Sequence, residues 1–349
     1  MANNFWGNKK VLITGGTGFL GRYLTDALQK EGAFLRISDF RKPIWEIKEI
    51  DFCETDIRDK DKIDALCQDI EIIFHLAAMP SIARGKASDY YEVNVKGTLN
   101  VLEASLKHKI KKIVLVSSST VYGIPQEFPL KESSLTHPIG KYGRSKLEAE
   151  ELCQEFIKRG LDISIIRPRV IIGPGRIGIF SILFDRIQNN RPVYIIGKGR
   201  NVFQFTNVFD MVSACIKAAE LQGSDLFNIG SDNVLSVQDE LMALIRHVKS
   251  KSWIIRLPAS LARLALRVLS FFKLAPLVDE QFMIADINFK LDTMHAHKKL
   301  DWHPVYSNVD SLIQAYDWYV ANVNKRQYKA LLGVIGRFKD SKMGGFQNN

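Results

Sequence analysis

Cysteine is scarce in this sequence, and long apolar runs are absent from it. The four cysteines are scattered and form no Cys-x-x-Cys pair, which predicts neither a disulfide framework nor a zinc site and fits a reducing compartment. No apolar run reaches the ~18 residues of a transmembrane helix, and the N-terminal segment is too polar for a signal peptide. We therefore expect a cytoplasmic protein with no bound metal.

The sequence also has no excess of acidic residues. It contains 48 Lys and Arg residues against 38 Asp and Glu residues, a net charge of +10. This charge favours a nucleic acid, an acidic membrane surface or a phosphorylated substrate without selecting among them. No nucleic-acid-binding module, repeat or low-complexity linker is apparent, so we expect no nucleic-acid partner. The 349 residues, 46% of them hydrophobic, suit one large domain or two closely joined ones.

The segment 11–21, Val-Leu-Ile-Thr-Gly-Gly-Thr-Gly-Phe-Leu-Gly, is a short apolar run followed by closely spaced glycines and the start of a helical pattern. It predicts a strand, a phosphate-binding turn and a helix. Glycines three residues apart let the chain turn tightly and let backbone N–H groups approach a pyrophosphate. The segment therefore predicts a dinucleotide site, whose cofactor-binding residues are Gly15, Thr17, Gly18, Phe19, Leu20 and Gly21.

The second predicted strand begins at Ala33 and ends in an acidic residue, Asp39, ~20 residues after the glycines. A carboxylate there can accept hydrogen bonds from the adenosine ribose and repels a 2′-phosphate, which favours NAD over NADP. Arg41 and Lys42 follow, and they would accommodate that phosphate if they turned inward. Asp56 either reaches the adenine or caps the helix predicted over 60–69. The predicted cofactor residues of this part are Asp39, Asp56 and Ile57.

Apolar and helical segments alternate in the next part of the chain. Ile70 to Ala77 is a nearly continuous apolar run, typical of a parallel strand that is covered on both faces. A helical pattern from Tyr91 to Leu106 and a strand from Ile113 to Val116 follow, with crossovers of the length that parallel strands need. The sequence therefore predicts an α/β fold with a doubly wound parallel sheet. We interpret His75 as a structural residue near the cofactor.

Hydroxyl residues follow the strand that ends at Val116, in the stretch 117–123, Ser-Ser-Ser-Thr-Val-Tyr-Gly. In a doubly wound sheet the carboxyl end of a parallel strand faces the cofactor crevice. Downstream, Tyr142 and Lys146 are four residues apart and share one face of a predicted helix. An ammonium beside a phenol lowers the pKa of the phenol from ~10, which makes the tyrosine a usable base.

Together these motifs resemble the extended short-chain dehydrogenase/reductases, in particular the NAD-dependent epimerase/dehydratase family. The resemblance covers roughly residues 9–320. The motifs that carry it are Thr14 to Gly21, His75 to Ala78, Asn94 to Thr98, Ser117 to Gly123, Tyr142-x-x-x-Lys146 and Arg167-Pro168. It implies that Tyr142 is the general acid or base, that Lys146 also holds the nicotinamide ribose, and that Ser118 orients the substrate. It also implies a cofactor-binding role for Leu76, Ala77, Ala78 and Asn94, the last of which helps to position the lysine.

The resemblance further implies a Rossmann-type fold with a smaller, interleaved C-terminal substrate lobe. The NAD-binding domain would span 8–174, with 202–230 returning to it, and the lobe would comprise 175–201 and 231–322. Residues 323–349 would form a basic tail that is either loosely ordered and solvated or in contact with a membrane. We expect a homodimer.

Two departures from the family narrow the expected reaction. Ser119-Thr120 stands where the nucleotide-sugar 4,6-dehydratases have an Asp-Glu pair for water elimination, so dehydration is disfavoured. Phe203 stands where 4-epimerases of the UDP-galactose type have an arginine that grips the nucleotide phosphates, and Arg176 or Arg200 would substitute for it. We therefore expect an NAD-dependent epimerase or ketoreductase of a nucleotide-activated sugar. Its predicted substrate-binding residues are Ser118, Ser119, Thr120, Arg176 and Arg200.

The C-terminal half also resembles the 3β-hydroxysteroid and sterol dehydrogenase branch, through residues 197–210 and the segment from Leu257 onward. Leu261 to Phe272 has apolar residues at helical spacing beside cationic ones, which indicates an amphipathic helix that acts as a lid or dimer helix or touches a membrane. The alternative function is therefore a dehydrogenase of a hydrophobic alcohol, such as a sterol or a β-hydroxy acid. A non-enzymatic NAD-binding protein is disfavoured by the intact Ser-Tyr-Lys set.

Overall fold

The computed structural model describes residues 5–43, 45, 49–83, 85–176, 179–271 and 283–323. Two parts of the sequence analysis lie outside these residues: the basic tail after Val323, and the end of the amphipathic segment at Phe272. Within the described residues, no helix combines the length and the apolar character needed to cross a bilayer.

Seven parallel strands of the described chain form one sheet, in the order β3-β2-β1-β4-β5-β6-β10. The strands are β1 (Lys10–Thr14), β2 (Phe34–Asp39), β3 (Asp51–Glu54), β4 (Ile72–His75), β5 (Lys112–Val116), β6 (Ile163–Pro168), β7 (Val170–Ile172), β8 (Val193–Ile196), β9 (Phe205–Asn207), β10 (Asp225–Ile229) and β11 (Ile254–Leu257). The strand order reverses between β1 and β4, which leaves a crevice at their carboxyl ends. The predicted doubly wound parallel sheet is confirmed.

Helices cover both faces of this sheet. They are α1 (Phe19–Lys30), α2 (Lys60–Leu66), α3 (Ala87–Tyr90), α4 (Gly97–Lys107), α5 (Lys141–Lys158), α6 (Ile179–Gln188), α7 (Val208–Glu220), α8 (Val237–His247), α9 (Ala259–Phe271), α10 (Met294–Leu300) and α11 (Asn308–Asn322). On one face α1 and α7 bury Leu24 and Met211. On the other face α2, α4 and α5 bury Ile63, Leu102 and Phe156. Because both faces are covered, strands such as β4 are buried along their whole length.

A second group of elements packs beside the sheet around its own core. Phe184 of α6, Leu244 of α8 and Tyr316 of α11 meet Ile195 of β8 there. β8 pairs with β11, and β7 pairs with β9, both in parallel. Between these segments the chain returns to the edge of the main sheet, where β10 pairs with β6. The smaller group is therefore interleaved with the sheet along the chain.

One helix runs differently from the sequence-based expectation. The helix expected from Tyr91 to Leu106 is divided into α3, a π-helical turn at Tyr91–Lys96 and α4. Such π turns widen the helix locally and are frequent at functional sites.

The interpretation of Asp56 as a helix cap is wrong. The N-cap of α2 is Asp59, whose side chain accepts a hydrogen bond from Lys62 N at 3.2 Å. The helix ends at Leu66, before Asp69, which has a φ of +61°.

The beginning of α9 exposes part of its apolar face in the single chain. Leu261 and Leu264 are 63% and 61% exposed, whereas Ala262 between them is buried. The apolar residues that face solvent therefore lie one turn apart, as the amphipathic spacing predicts.

Candidate active site and cofactor cleft

The glycine loop between β1 and α1 is packed too closely for side chains. Gly15 has a φ of +71°, and its N–H donates to Ser38 O at 2.7 Å. A Cβ atom at Gly15 would lie 2.7 Å from Ala77 N, and one at Gly21 would lie 2.4 Å from Gly15 O. Both positions therefore require glycine, and the loop presents bare backbone to the crevice.

The N-terminus of α1 fits an anionic group. Gly18 supplies no capping side chain, and the first turn contains no acidic residue. The first hydrogen bond of the helix runs from Arg22 N to Gly18 O at 3.1 Å, so the N–H groups of residues 19–21 precede any helical acceptor. These donors and the helix dipole suit a pyrophosphate. The loop and helix together fit a dinucleotide.

Asp39 holds its carboxylate against this loop from the end of β2. Oδ2 accepts a hydrogen bond from Thr17 N at 3.3 Å, and Oδ1 accepts one from Arg41 N at 3.4 Å. The guanidinium of Arg41 lies over the ring of Phe40, 4.7 Å from its centroid. The acceptor that the sequence predicts for a ribose hydroxyl is therefore beside the phosphate-binding turn.

Asp56 and Ile57 use their side chains within the protein. The carboxylate of Asp56 accepts hydrogen bonds from Arg58 Nε at 2.9 Å and Arg58 N at 3.0 Å, and this pairing lowers the pKa of the carboxyl group. Ile57 packs so closely on Gly97 that a Cβ atom there would come within 2.6 Å of it. The Ile57 side chain therefore belongs to the core, and its carbonyl oxygen accepts a hydrogen bond from Asn100 Nδ2 at 3.1 Å.

A directed chain of hydrogen bonds joins the end of β1 to Asn94 through buried His75. Ala77 N donates to Thr14 Oγ1 at 3.3 Å, and Thr14 Oγ1 is 2.7 Å from His75 Nδ1. On the other side His75 Nε2 is 3.0 Å from Thr98 Oγ1, which donates to Asn94 O at 2.6 Å. Since Thr98 gives its proton to that carbonyl, Nε2 must be the protonated nitrogen of the imidazole. Burial, with a smaller effect of the Lys146 ammonium, lowers the pKa of His75 to about 3, in keeping with a structural role.

Asn94 connects this series of hydrogen bonds to the first turn of α5. Its Oδ1 accepts a hydrogen bond from Met79 N at 2.7 Å, and its Nδ2 donates to Ser145 Oγ at 2.9 Å. Ser145 Oγ in turn donates to Tyr142 O at 2.8 Å. The π-helical turn that carries Asn94 thus orients the helix segment that holds Tyr142 and Lys146.

Lys146 and Ser118 meet at the carboxyl end of β5. Lys146 Nζ donates to Val116 O at 2.7 Å, and its side chain is buried. Ser118 follows two residues later, and its Oγ accepts hydrogen bonds from Thr120 N at 3.2 Å and Thr120 Oγ1 at 3.0 Å. Burial lowers the pKa of Lys146 to about 8, and the carboxylate of Glu150 opposes part of this shift.

Tyr142 lies beside the same turn. The start of α5 packs directly on the turn, since a Cβ atom at Gly143 would lie 2.8 Å from Thr120 O. The Tyr142 ring is half-buried and contacts the ring of Tyr90 edge to face, with the centroids 6.3 Å apart. The segments that carry Ser118, Tyr142 and Lys146 therefore lie together at the carboxyl end of β5.

The two arginines predicted to bind phosphate lie in different places. Arg176 is half-buried, with its guanidinium 5.3 Å from the centroid of the Phe19 ring. Burial lowers its pKa, and interaction with Tyr142 partly opposes this shift. Arg176 therefore lies beside the start of α1. Arg200 is exposed and lines a cavity of about 670 Å³ together with Lys198 and Arg256.

The sequence analysis did not single out Arg169, which is buried behind Ser119. Its guanidinium carbon lies 4.2 Å from the centroid of the Phe203 ring and 3.8 Å from that of Phe289. Its Nη1 is 3.5 Å from Ser119 Oγ. The one sequence signal for this residue is a cation directly after an apolar strand, at the edge of the sheet that faces the crevice.

A comparison of the sequence with known families identifies the chain. The profile of the NAD dependent epimerase/dehydratase family matches residues 11–230. The chain belongs to this family. It is an NAD-dependent enzyme of the extended short-chain dehydrogenase/reductase type, and the resemblance noted from the motifs is confirmed.

Several members of the epimerase/dehydratase family are similar over most of the chain. An uncharacterized protein of Sinorhizobium fredii is 33% identical over 90% of this chain and 79% of its own length. The UDP-N-acetyl-α-D-glucosaminuronate decarboxylase of Bacillus cytotoxicus is 29% identical over 89% of this chain and 98% of its own. The UDP-glucuronic acid 4-epimerase of Bacillus cereus, solved with UDP-glucuronic acid and NAD, is 25% identical with a TM-score of 0.74, over 90% of this chain and 100% of that chain.

Proposed function

We propose that the protein is an NAD-dependent epimerase or ketoreductase that acts on a nucleotide-activated sugar through Tyr142. The observation that carries the proposal is that the segments bearing Ser118, Tyr142 and Lys146 come together at the carboxyl end of β5, in a sheet whose glycine loop fits a dinucleotide. Two of the relatives that share most of the chain act on or bind UDP-linked sugars by name, which supports the same substrate class here.

NAD, when bound, supplies a nicotinamide ring that accepts a hydride and can return it. Tyr142 takes the proton of the substrate hydroxyl while the carbon that bears this hydroxyl loses a hydride. In the reverse step Tyr142 returns the proton. The ammonium of Lys146 favours the phenolate form of Tyr142, and the hydroxyl of Ser118 shares the hydrogen bond to the same substrate oxygen.

The preference for NAD over NADP belongs to the same proposal. Asp39 accepts hydrogen bonds from the ribose hydroxyls and repels a 2′-phosphate. The two cations that follow it have other partners: Arg41 lies over Phe40, and Lys42 Nζ is 4.0 Å from Glu54. A phosphate at the ribose would therefore meet the carboxylate of Asp39, while both of these cations contact other groups.

The nucleotide diphosphate requires cations, since its charges need fixed partners. Arg176 lies beside Phe19 at the start of α1. Arg200 lines the cavity of about 670 Å³ together with Lys198 and Arg256. UDP should therefore raise the melting temperature of the NAD-loaded protein, and combined Arg176→Ala and Arg200→Ala substitutions should abolish that rise. Arg246→Ala is the matched control, because Arg246 is exposed on α8.

A dehydrogenase of a hydrophobic alcohol is the second candidate, and a cluster of aromatic residues in the smaller group of elements favours it. Phe203 and Phe205 lie with their ring centroids 5.6 Å apart, and Phe205 contacts Phe180 at the same distance. A sterol or a long-chain β-hydroxy acid would then stabilise the NAD-loaded protein. That result, together with no shift on addition of UDP, would replace the sugar proposal with this one.

A further inference from the structure

Arg169 is a buried cation that has no acidic partner among the residues that the structure describes. It follows β6 directly and is 3% exposed. Its guanidinium is stacked between the rings of Phe203 and Phe289, and within the described part of the chain its polar contact is the one of 3.5 Å to Ser119 Oγ. Among the residues that the structure describes, Nε and Nη2 have no hydrogen-bond partner.

The contrast with Arg167, two residues earlier, shows how unusual this is. Arg167 is equally buried, but three of its hydrogen bonds reach the carboxylate of Glu150. For Arg169, burial lowers the pKa to about 9, and no acidic group of the described residues opposes the shift. The two aromatic rings attract the cation, but they give its N–H groups no hydrogen-bond acceptors. A buried charge without a partner is unfavourable. An anion bound at Nε and Nη2 would remove this deficit.

Arg169 adjoins the hydroxyl residues at the end of β5 through Ser119. Ser119 lies between Ser118 and Thr120, which are half-buried, whereas the Ser119 side chain is buried and contacts Arg169. Of the two stacked rings, Phe203 is half-buried and Phe289 is fully buried. A ligand group that reaches the guanidinium would therefore have to displace the Phe203 ring, which covers one of its faces.

We propose that Arg169, together with Ser119, binds a carboxylate of the substrate, so that the substrate is a nucleotide-linked uronic acid rather than a neutral hexose. This inference rests on the proposed function. Ser119 adjoins Ser118, which engages the reacting hydroxyl, so an anion shared by Ser119 and Arg169 lies close to the reacting carbon. In a hexuronic acid that reacts at C4, the carboxylate is on the adjacent C5.

The diphosphate fits this position less well than a carboxylate. It is attached at C1, across the ring from C4, and Arg176 and Arg200 are available to it. A guanidinium also matches the two oxygens of a carboxylate with two parallel N–H donors. Nε and Nη2 form one such edge of Arg169, and these are the two nitrogens that lack partners.

The test measures binding by calorimetry to the full-length, NAD-loaded protein, with UDP-glucuronic acid, UDP-glucose and UDP as probes. We expect the unaltered protein to bind UDP-glucuronic acid roughly 10- to 100-fold more tightly than UDP-glucose, the contribution of charge-assisted hydrogen bonds. Arg169→Met and Arg169→Gln should remove this preference and leave the affinity for UDP-glucose within about threefold. Arg186→Met is the control, because Arg186 is also stacked on a ring, that of Tyr194, with its guanidinium 4.6 Å from the centroid.

Different results separate this inference from the proposed function. If the unaltered protein binds the two sugars equally, the carboxylate assignment is overturned while the sugar-nucleotide function stands. If both Arg169 variants weaken UDP, UDP-glucose and UDP-glucuronic acid alike, Arg169 binds the diphosphate and the assignment is again overturned. If the unaltered protein binds none of the three probes, the proposed function fails and the inference fails with it.

Discussion

Arg167 and Glu150 form a buried bidentate ion pair, with Nη2 2.6 Å from Oε2 and Nε 3.0 Å from Oε1. Glu150 lies one helical turn after Lys146 on α5, and Arg167 lies on β6, next to β5 in the sheet. Ser117 Oγ donates to the same carboxylate, and Arg167 Nη1 donates to Tyr122 Oη at 2.9 Å. This network joins α5 to β6 and to the residues that follow β5.

Removing one partner of this pair should destabilise the fold strongly. Arg167→Met leaves the Glu150 carboxylate buried and unpaired, so we expect the free energy of unfolding in denaturant to fall by about 3–5 kcal/mol. The double variant Arg167→Met with Glu150→Leu removes both charges and should regain most of that loss. Equal stabilities of the single and double variants would show that the pair is not what holds α5 to the sheet.

Much of the fold and part of the candidate site could be predicted because the sequence patterns that indicate them involve only neighbouring residues. Continuous apolar runs mark strands that are buried on both faces, and the glycine spacing from Gly15 to Gly21 marks a turn into a helix. The spacing of Tyr142 and Lys146 places both on one helix face. These patterns need no knowledge of which distant segments meet.

The features that could not be predicted from the sequence depend on contacts between segments that are far apart in the chain. Arg169 becomes unusual only because Phe203 and Phe289, far along the chain, close around it. Arg176 was predicted to be a phosphate ligand, but its nearness to Phe19 and Tyr142 follows from how the smaller group of elements packs on the sheet. The π-helical turn at Tyr91–Lys96 likewise has no signal in the helical period around it.

The assignment of Tyr142 as the acid–base residue predicts a large kinetic effect. Tyr142→Phe removes the group that exchanges the proton of the substrate hydroxyl, so the rate on a UDP-sugar should fall at least ~10²-fold. NAD binding, measured by calorimetry, should persist, because the glycine loop is intact. Tyr194→Phe is the control, since Tyr194 is 49% exposed on β8. Turnover of the Tyr142 variant at the rate of the unaltered protein would falsify the assignment.

Cofactor selection should depend on the carboxylate of Asp39. The unaltered protein should bind NAD more tightly than NADP, and Asp39→Ala should erode this preference, because the variant loses the ribose acceptor and the repulsion of the 2′-phosphate. Calorimetric titration with both cofactors measures the two affinities. Asp69→Asn is the control, since Asp69 is an exposed acid whose Oδ2 lies 3.9 Å from Lys10 Nζ. Equal or reversed affinities in the unaltered protein would contradict the prediction.

The burial of Glu240 should make the folded protein less stable as the pH rises. It is buried in α8, where its Oε1 accepts hydrogen bonds from Asn308 Nδ2 at 2.8 Å and Leu235 N at 3.1 Å. Burial raises its pKa from 4.5 to about 8. The folded state therefore keeps the proton up to about pH 8, whereas the unfolded state releases it near pH 4.5. Because the folded state binds more protons between these two pH values, protonated Glu240 favours folding. Its contribution to the free energy of unfolding is complete below pH 4.5 and is lost as the pH rises through 8.

Glu240→Gln should flatten this dependence. Glutamine keeps an Oε1 that can accept both hydrogen bonds but cannot ionise, so the variant avoids the cost of burying a charge. Between about pH 5 and pH 8, the unaltered protein should lose at least ~1 kcal/mol of unfolding free energy relative to the variant, since one pKa unit corresponds to about 1.4 kcal/mol. Denaturant unfolding across this range measures the difference, with Glu155→Gln on the exposed side of α5 as the control. Parallel curves for the unaltered protein and the Glu240 variant would mean that Glu240 titrates alike in the folded and unfolded states.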